Sequence, residues 1–455
     1  MFKVFRNAWK IMDLRKKILY TLFIVLIFRV GAVIPVPFLK LDVIQASMEA
    51  MTSSGSLLGY MNILSGGAFA NATVFAMGVS PYINSSIIMQ LLTVAIPALE
   101  RISKEGEEGR KKIAQITRYV TVGLGLIQGT AFYFFLRNNW VESAGSYAAK
   151  FAKGTGWSFP SVFAAVTIIL AFTAGSALMM WLGEQVNERG IGNGISILLF
   201  AGIISRGPQI ATTLWQYFDA GIKAAQQGGG PDTKYLWMIP AIIIIFLAIV
   251  MFIVLMTEGE RRIPVQYAKR VVGRKMYGGQ STHIPIKVNM SGVLPIIFAS
   301  SLLAVPGTIK MFIWGQETKE HFWYKVLSVF DTDKLVYPFI YFILIIAFAY
   351  FYVTIQYNAV EMANNLQKNN GTIPGIRPGQ NTAQFISKII NKITLIGALF
   401  LSVIAVGPII FGSIAKMPGL SLGGTSILIV VGVAIETTRQ IESQMLMRHY
   451  KGFLE

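Results

Sequence analysis

Asn84, Ser85, Ser86 and Gln90 stand inside MGVSPYINSSIIMQLLTV (Met77–Val94), a stretch that is otherwise apolar. Their amide and hydroxyl groups form hydrogen bonds, and in hydrocarbon they must face neighbouring helices or a water-filled path, because lipid offers no partner. The residue patterns of enzymes are missing from the whole chain. There is no Gly-x-Ser-x-Gly, no His-Glu-x-x-His, no Walker A lysine pattern and no cysteine, so neither a nucleophile nor a metal site is visible, and no cofactor is expected. Gly190–Gly194 (GIGNG) lacks the spacing and the preceding strand of a dinucleotide loop. Driving energy for any transport must then come from a partner or from the membrane potential. His283, His321 and His449 and nearly all the acids fall in loops or at the ends of apolar runs. That weighs against the rival reading, a secondary transporter of a small solute, because ion coupling generally keeps a carboxylate or histidine at mid-membrane.

The elements that must position these polar residues are membrane helices. Of the 455 residues, 54% are hydrophobic and 14% charged, a balance soluble domains rarely reach. Apolar runs recur at the length that crosses ~30 Å of hydrocarbon, and backbone polar groups there must be satisfied within helices. Ten spans are expected, near 18–37, 74–97, 116–136, 159–182, 194–210, 236–256, 292–313, 335–357, 389–412 and 422–437. The fifth is interrupted by Arg206 and Pro208, and the tenth is closed early by Glu436. The N-terminal run continues through FRVGAVIPVPF without a small-residue cleavage site and reads as a retained first span. Residues 1–17, with Phe2, Phe5, Trp9 and Leu14 among six basic residues, suit an amphipathic segment on an anionic membrane surface. With the N-terminus inside, the inner segments hold 25 of the 40 Lys and Arg and the outer loops 11, so both termini are expected in the cytoplasm. The net charge of +18 largely follows from that rule and by itself points to no nucleic acid.

An internal repeat organises the spans. GVSPYI at Gly78–Ile83 recurs as GVLPII at Gly292–Ile297, 214 residues later, each followed by a serine pair. Ten spans divide into five plus five, and an odd number of crossings per half inverts one half relative to the other. Gly-x-x-Pro within a span is expected to loosen the helix and admit another backbone. Val79, Ile83 and Gln90 are spaced to share one helix face.

Five further stretches make the pattern specific: LSGGAFANATVFAMGVSPYI, WLGEQVNERGIGNGISI from Trp181, QSTHIPIKVNMSGVLPIIFASS from Gln280, PGIRPGQ from Pro374 and GGTSILIVV from Gly423. In order and over essentially the whole chain, they resemble the SecY family, channel subunits of bacterial protein translocases. The resemblance implies an all-α integral membrane protein of ten helices in two inverted five-helix halves around a central pore. The first half would cover 18–210 and the second 236–437, joined by an external hinge loop at 211–235. Cytoplasmic loops at 257–291 and 358–388 and a cytoplasmic tail at 438–455 complete the layout. The pore would be hourglass-shaped and open sideways to lipid between spans two and three on one side and seven and eight on the other.

By the same resemblance, an aliphatic ring closing the pore maps to Val79, Ile83, Ile195, Leu199, Ile297 and Ile429. Several relatives carry isoleucine throughout, so Val79 and Leu199 are departures that stay aliphatic. A plug, a short helix resting on the ring from outside, maps to 57–71, with Leu57, Tyr60, Ile63, Leu64, Gly66, Gly67 and Asn71. A lateral gate maps to Asn289, with Gln90 a partner across the seam and Asn193 near the same side. The inner loops imply docking of the ribosome or of the motor ATPase SecA through Arg261, Arg262, Lys269, Arg270, Arg274, Lys275 and Arg377, the last matching the arginine on which motor activation depends. The family further implies a clamp subunit SecE, often SecG, and substrates that are unfolded secretory or membrane proteins with signal sequences, threaded across or released into lipid. The expected location is the bacterial plasma membrane.

Overall fold

The computed structural model describes residues 2–39, 62, 65–140, 159–226, 235–267, 270–272, 275–277, 281–314, 322–330, 336–415 and 424–451. Each of the ten expected spans falls on a helix. In chain order these are α1 (Phe2–Lys10), α2 (Met12–Gly31), α3 (Ser80–Ala95), α4 (Pro97–Lys104), α5 (Glu107–Trp140), α6 (Phe159–Arg189), α7 (Gly194–Ile204), α8 (Gly207–Gln226), α9 (Tyr235–Glu258), α10 (Leu294–Trp314), α11 (Phe322–Leu327), α12 (Val336–Gln356), α13 (Ala359–Lys368), α14 (Gln380–Ala415) and α15 (Gly424–Lys451). The expected spans correspond to α2, α3, α5, α6, α7, α9, α10, α12, α14 and α15. Among the described residues, five stretches are long and apolar enough to cross a bilayer alone, including Tyr235–Glu258 and Gln380–Ile410. A sixth joins α3 to α4 through a bend of 102°. The bend falls at Ile96, whose extended backbone precedes Pro97, as the ring of a proline disfavours helix in the residue before it.

Helix packing repeats between the halves. In the first, α3 packs on α5, α5 on α6, α6 on α7, α2 on α6 and on α7, and α3 on α6. In the second, α10 packs on α12, α12 on α14, α14 on α15, α9 on α14 and on α15, and α10 on α14. Each pairing is the other's counterpart five spans on. The halves meet where α7 packs on α15 and where α10 reaches α3 and α5.

Two segments differ from their sequence reading as loops. Residues 211–226 of the expected hinge are helical, continuing α8; Ser205 and Arg206 form a two-residue break after α7, and Pro208 is the second residue of α8, so the helical run resumes at once. Between α9 and α10 the chain forms strands β1 (Glu260–Tyr267), β2 (Arg270–Val272), β3 (Lys275–Tyr277) and β4 (Ser281–Lys287), and β5 (Gly371–Thr372) joins from the 358–388 connection. β1 pairs antiparallel with β4 from Glu260↔Lys287 to Gln266↔Ser281, and with β5 on its other edge. Ile263 and Val265 turn inward while Arg262, Pro264 and Gln266 face out, the alternation of a half-buried strand. The all-α description therefore holds for the membrane body and not for this end.

Candidate functional site

The site begins at two turns. Gly78 and Gly292 both take left-handed backbone, φ +55° and +63°, a region that glycine enters at no steric cost. Two residues later α3 starts at Ser80 and α10 at Leu294, with Pro81 and Pro295 in the first turn, where no backbone N–H is needed. Gly-x-x-Pro is thus a helix start in both halves, not the loosened helix interior expected from sequence. A left-handed residue cannot continue a right-handed helix.

A second matched pair sets the opposite wall. GISILLFAG (Gly194–Gly202) and GTSILIVVG (Gly424–Gly432) stand 230 residues apart, and each opens a helix at its first glycine. A Cβ at Gly194 would overlap the carbonyl oxygen of Gly183, and one at Gly424 the carbonyl oxygen of Ile404, so both helices cross their predecessor at backbone contact. At Gly183 a Cβ would overlap Ile195 Cδ1, which fixes that side chain against α6.

All six ring candidates fall in one apolar cluster. Val79, Ile83, Leu199 and Ile429 are buried, and Ile195 and Ile297 are half-buried against them. The group draws on α3 and α7 of one half and α10 and α15 of the other. Val293, the counterpart of Val79, packs on the same cluster, as does the fully buried Ala68 of the preceding segment. Among the described residues this cluster is built by side chains from both halves.

Of the expected plug, Leu57, Tyr60, Ile63 and Leu64 lie outside the described residues; Gly66, Gly67 and Asn71 lie within them. From Ser65 the chain runs in successive turns up to α3. Asn62 Oδ1 accepts from Ala70 N at 3.0 Å, Ser65 Oγ accepts from Phe69 N at 3.0 Å, and Thr73 Oγ1 donates to Ala68 O at 3.2 Å. Asn62, Ser65 and Thr73 are all buried, so the turns are closed by internal hydrogen bonds, as buried polar groups require. Val36 N donates to Ala72 O and Val74 N to Ile34 O, pinning the segment to the chain leaving α2. Phe69 packs on Phe132 of α5 with ring centroids 4.6 Å apart.

The gate candidates separate. Asn193 caps α7, its Oδ1 accepting from Ser196 N at 3.3 Å, and is exposed. Gln90 is half-buried on α3. Asn289 Oδ1 is buried with no hydrogen-bond partner among the described residues, and a Cβ at Gly397 of α14 would lie 3.9 Å from its Cα. No bond joins Gln90 to Asn289 among the described residues. The polar residues of the opening stretch are answered in part by helix pairing. Ser85 Oγ donates to Thr117 O at 2.7 Å and accepts from Thr121 Oγ1 at 2.9 Å.

The docking candidates gather at the sheet. Arg261 and Arg262 are exposed on β1, and Arg262 pairs with Glu260 at 2.7 Å. Arg270 and Lys275 lie in β2 and β3 with side chains outside the described set, and Lys269 and Arg274 lie outside the described residues. Arg377 is exposed between Gly375 and Gly379, at φ +79° and +98°, and its carbonyl accepts from Thr382 Oγ1 at 2.9 Å. Burial, with help from Arg439, holds the Lys287 ammonium at the sheet's base below the usual lysine range, against the pull of Glu436 and Glu260.

Comparison with known proteins is decisive at this point. The family model for SecY matches residues 73–438. The chain belongs to the SecY family. The protein translocase subunit SecY of Streptomyces scabiei is 43% identical over 456 residues, covering all of both chains. That of Mycobacterium tuberculosis is 41% identical over 464 residues, again covering both completely. Among solved structures, a protein-conducting channel shares the fold with a TM-score of 0.56 at 17% identity, over 95% of this chain and 92% of the other. A SecY protein whose plug domain was studied gives 0.59 at 18%, with the same coverage. Sec61 of the canine ribosome–channel complex gives 0.55 at 16%, again with that coverage.

Within this SecY-family fold, sequence reasoning missed Val293 of the constriction, the Gly202/Gly432 pair and the joining of two loops into one sheet. The first two carried a readable signal. Val293 is the valine of the repeated Gly-Val, and Gly202 and Gly432 close the matched nine-residue stretches. β5 carried none, being two residues long.

Proposed function

We propose that this chain is the channel subunit of a protein translocase, passing unfolded polypeptides across the membrane and releasing apolar helices sideways into lipid. One observation carries the reading: aliphatic residues from α3, α7, α10 and α15 converge between two repeat-related halves, under a chain segment that contributes Ala68. A girdle of this kind excludes hydrated ions by dewetting and has no polar group that would hold one sequence over another. Val79, Ile83, Ile195, Leu199, Ile297 and Ile429 act as the ring, 57–71 as the plug, and Gln90, Asn193 and Asn289 flank the lateral gate. The contacts of α10 with α3 and α5 support that seam. The ten helices span the bacterial plasma membrane with both termini and the sheet in the cytoplasm, as the Lys and Arg distribution favours. The sheet and Arg377 then dock SecA or the ribosome, and SecE, with SecG, completes the complex. The named homologues, and Sec61 and Ssh1 channels solved with ribosomes, support these partners.

The test is reconstitution. The purified complex in proteoliposomes, supplied with SecA, ATP and an unfolded precursor bearing a signal sequence, is expected to make the precursor protease-resistant. Uptake of amino acids or sugars with no precursor protection would replace this reading with the solute transporter.

A further inference from the structure

The plug reading leaves open what holds the segment over the ring. Gly66, at φ +66°, lies so close to α7 that a Cβ there would stand 2.9 Å from Gly202 Cα, 3.1 Å from Gly202 O and 3.2 Å from Ser205 Oγ. Real Cβ atoms essentially never come within 3.0 Å of backbone, so this contact needs a glycine at position 66. On the other side, Ser65 meets the turn before α3: a Cβ at Gly78 would lie 3.5 Å from Ser65 Cβ. From α2, Arg29 Nη1 donates to Gly66 O at 3.4 Å. Gly67, the next residue, is also left-handed at φ +90°, yet among the described residues nothing lies within 4 Å of a Cβ built there. One glycine of the pair is needed for close approach and the other for the turn alone.

We infer that Gly202, Gly78 and Arg29 form a seat that holds the plug to the first half of the channel through Gly66 and Ser65. The inference rests on the plug reading and adds its docking partners. All three belong to α2, α3 and α7 or their ends, which pack within one half. The seat can therefore stay assembled while α10 moves away from α3 and α5, and leaving it becomes a step separate from opening the seam. The Gly66–Gly202 contact is backbone on backbone, so its strength depends on fit, while Arg29 adds a side-chain hydrogen bond to Gly66 O.

Two matched variants test this in the complete complex. Asparagine tolerates left-handed backbone better than other side chains, so Gly66→Asn and Gly67→Asn impose similar backbone demands and differ in what their Cβ meets. Gly66→Asn is expected to raise resting ion flux through reconstituted channels severalfold over that of Gly67→Asn. Equal flux from both overturns the seat, and so does parent-like flux from Gly66→Asn when a deletion of residues 62–70 leaks. If that deletion does not leak, the plug reading itself fails, a distinguishable result. The chain has no cysteine, so Ser65→Cys with Gly78→Cys gives a second readout. The 3.5 Å between their Cβ positions falls at the short edge of the disulfide range. Oxidation of the resting channel should cross-link the pair and stop export until reduction; absence of the cross-link in folded, export-competent channels overturns the seat.

Discussion

The connection from α2 to α3 and the connection from α9 to α10 hold equivalent places in the two halves, yet the described part of one packs in turns against the shared aliphatic cluster and the other builds a sheet. Their ends are alike. Each terminates in a left-handed glycine, a valine and a proline-started helix, because the helical frame needs the same turn twice. Between those ends they diverge. Residues 65–79 stay compact against α6 and α7, close enough that a Cβ at Gly175 of α6 would overlap Val74 O. In the other connection β1 pairs with β4 and recruits β5 from the next connection. Ile263, Val265, Ile286, Ile373 and Ile386 form one buried cluster there, which makes the sheet and the end of α14 a single body. On the proposed function, a repeated frame carries a closing device on one side and a handle on the other.

The largest expected effect falls on the handle. Arg377→Glu should reduce SecA-driven export to background while leaving resting ion flux at the parent level, since Arg377 is exposed and far in the chain from the constriction. The measurement pairs precursor translocation into vesicles with conductance of the same preparation. Export at the parent rate would remove the docking role, and a raised leak would show that the handle and the closing device are not separate.

Next comes the constriction itself, where the two halves should count equally. Replacing Ile83 and Ile297 together with glycine should raise resting conductance in planar bilayers severalfold, because the dewetted length shrinks. The single variants should leak less than the pair and resemble each other, being repeat counterparts. Unchanged conductance in the double variant would count against the ring, and a large inequality between the singles against its symmetry.

How much of this was legible follows the same division. The helices could be read because hydrocarbon forces continuous apolar runs, and Gly78 and Gly292 could be found because identical turns leave identical letters. Gly202 needed a second comparison, of Gly194–Gly202 with Gly424–Gly432, in the two spans that Arg206 and Glu436 made hardest to recognise. The sheet was hidden for a different reason. β1 shows alternation only over Ile263 and Val265, and its partner β5 is two residues more than a hundred positions away, so no local pattern records the pairing. Asn193 shows the limit for single polar residues: its amide does serve α7, as a cap, and sequence alone could not separate capping from gating.

A smaller effect concerns the frame the halves share. Gly194→Ala and Gly424→Ala each place a methyl on a backbone carbonyl of the preceding helix, and overpacking of this kind costs ~1–3 kcal/mol. Both should lower the thermal stability of the detergent-solubilised complex by similar amounts. If one is tolerated without loss, the α6–α7 and α14–α15 crossings are not equivalent.

The smallest expected difference separates the two turns. At Gly78 a Cβ would touch Ser65, whereas at Gly292 nothing among the described residues lies within 4 Å, although both glycines share left-handed backbone that asparagine can adopt. Gly78→Asn should therefore loosen the closing segment and raise resting flux modestly, and Gly292→Asn should leave flux unchanged. The pair isolates what covers the turn from the turn's own strain, because the strain is common to both. Equal leaks would mean that the turns bear load in the frame itself; a leak from Gly292→Asn alone would place the closing contact in the second half and reverse the assignment of the two connections.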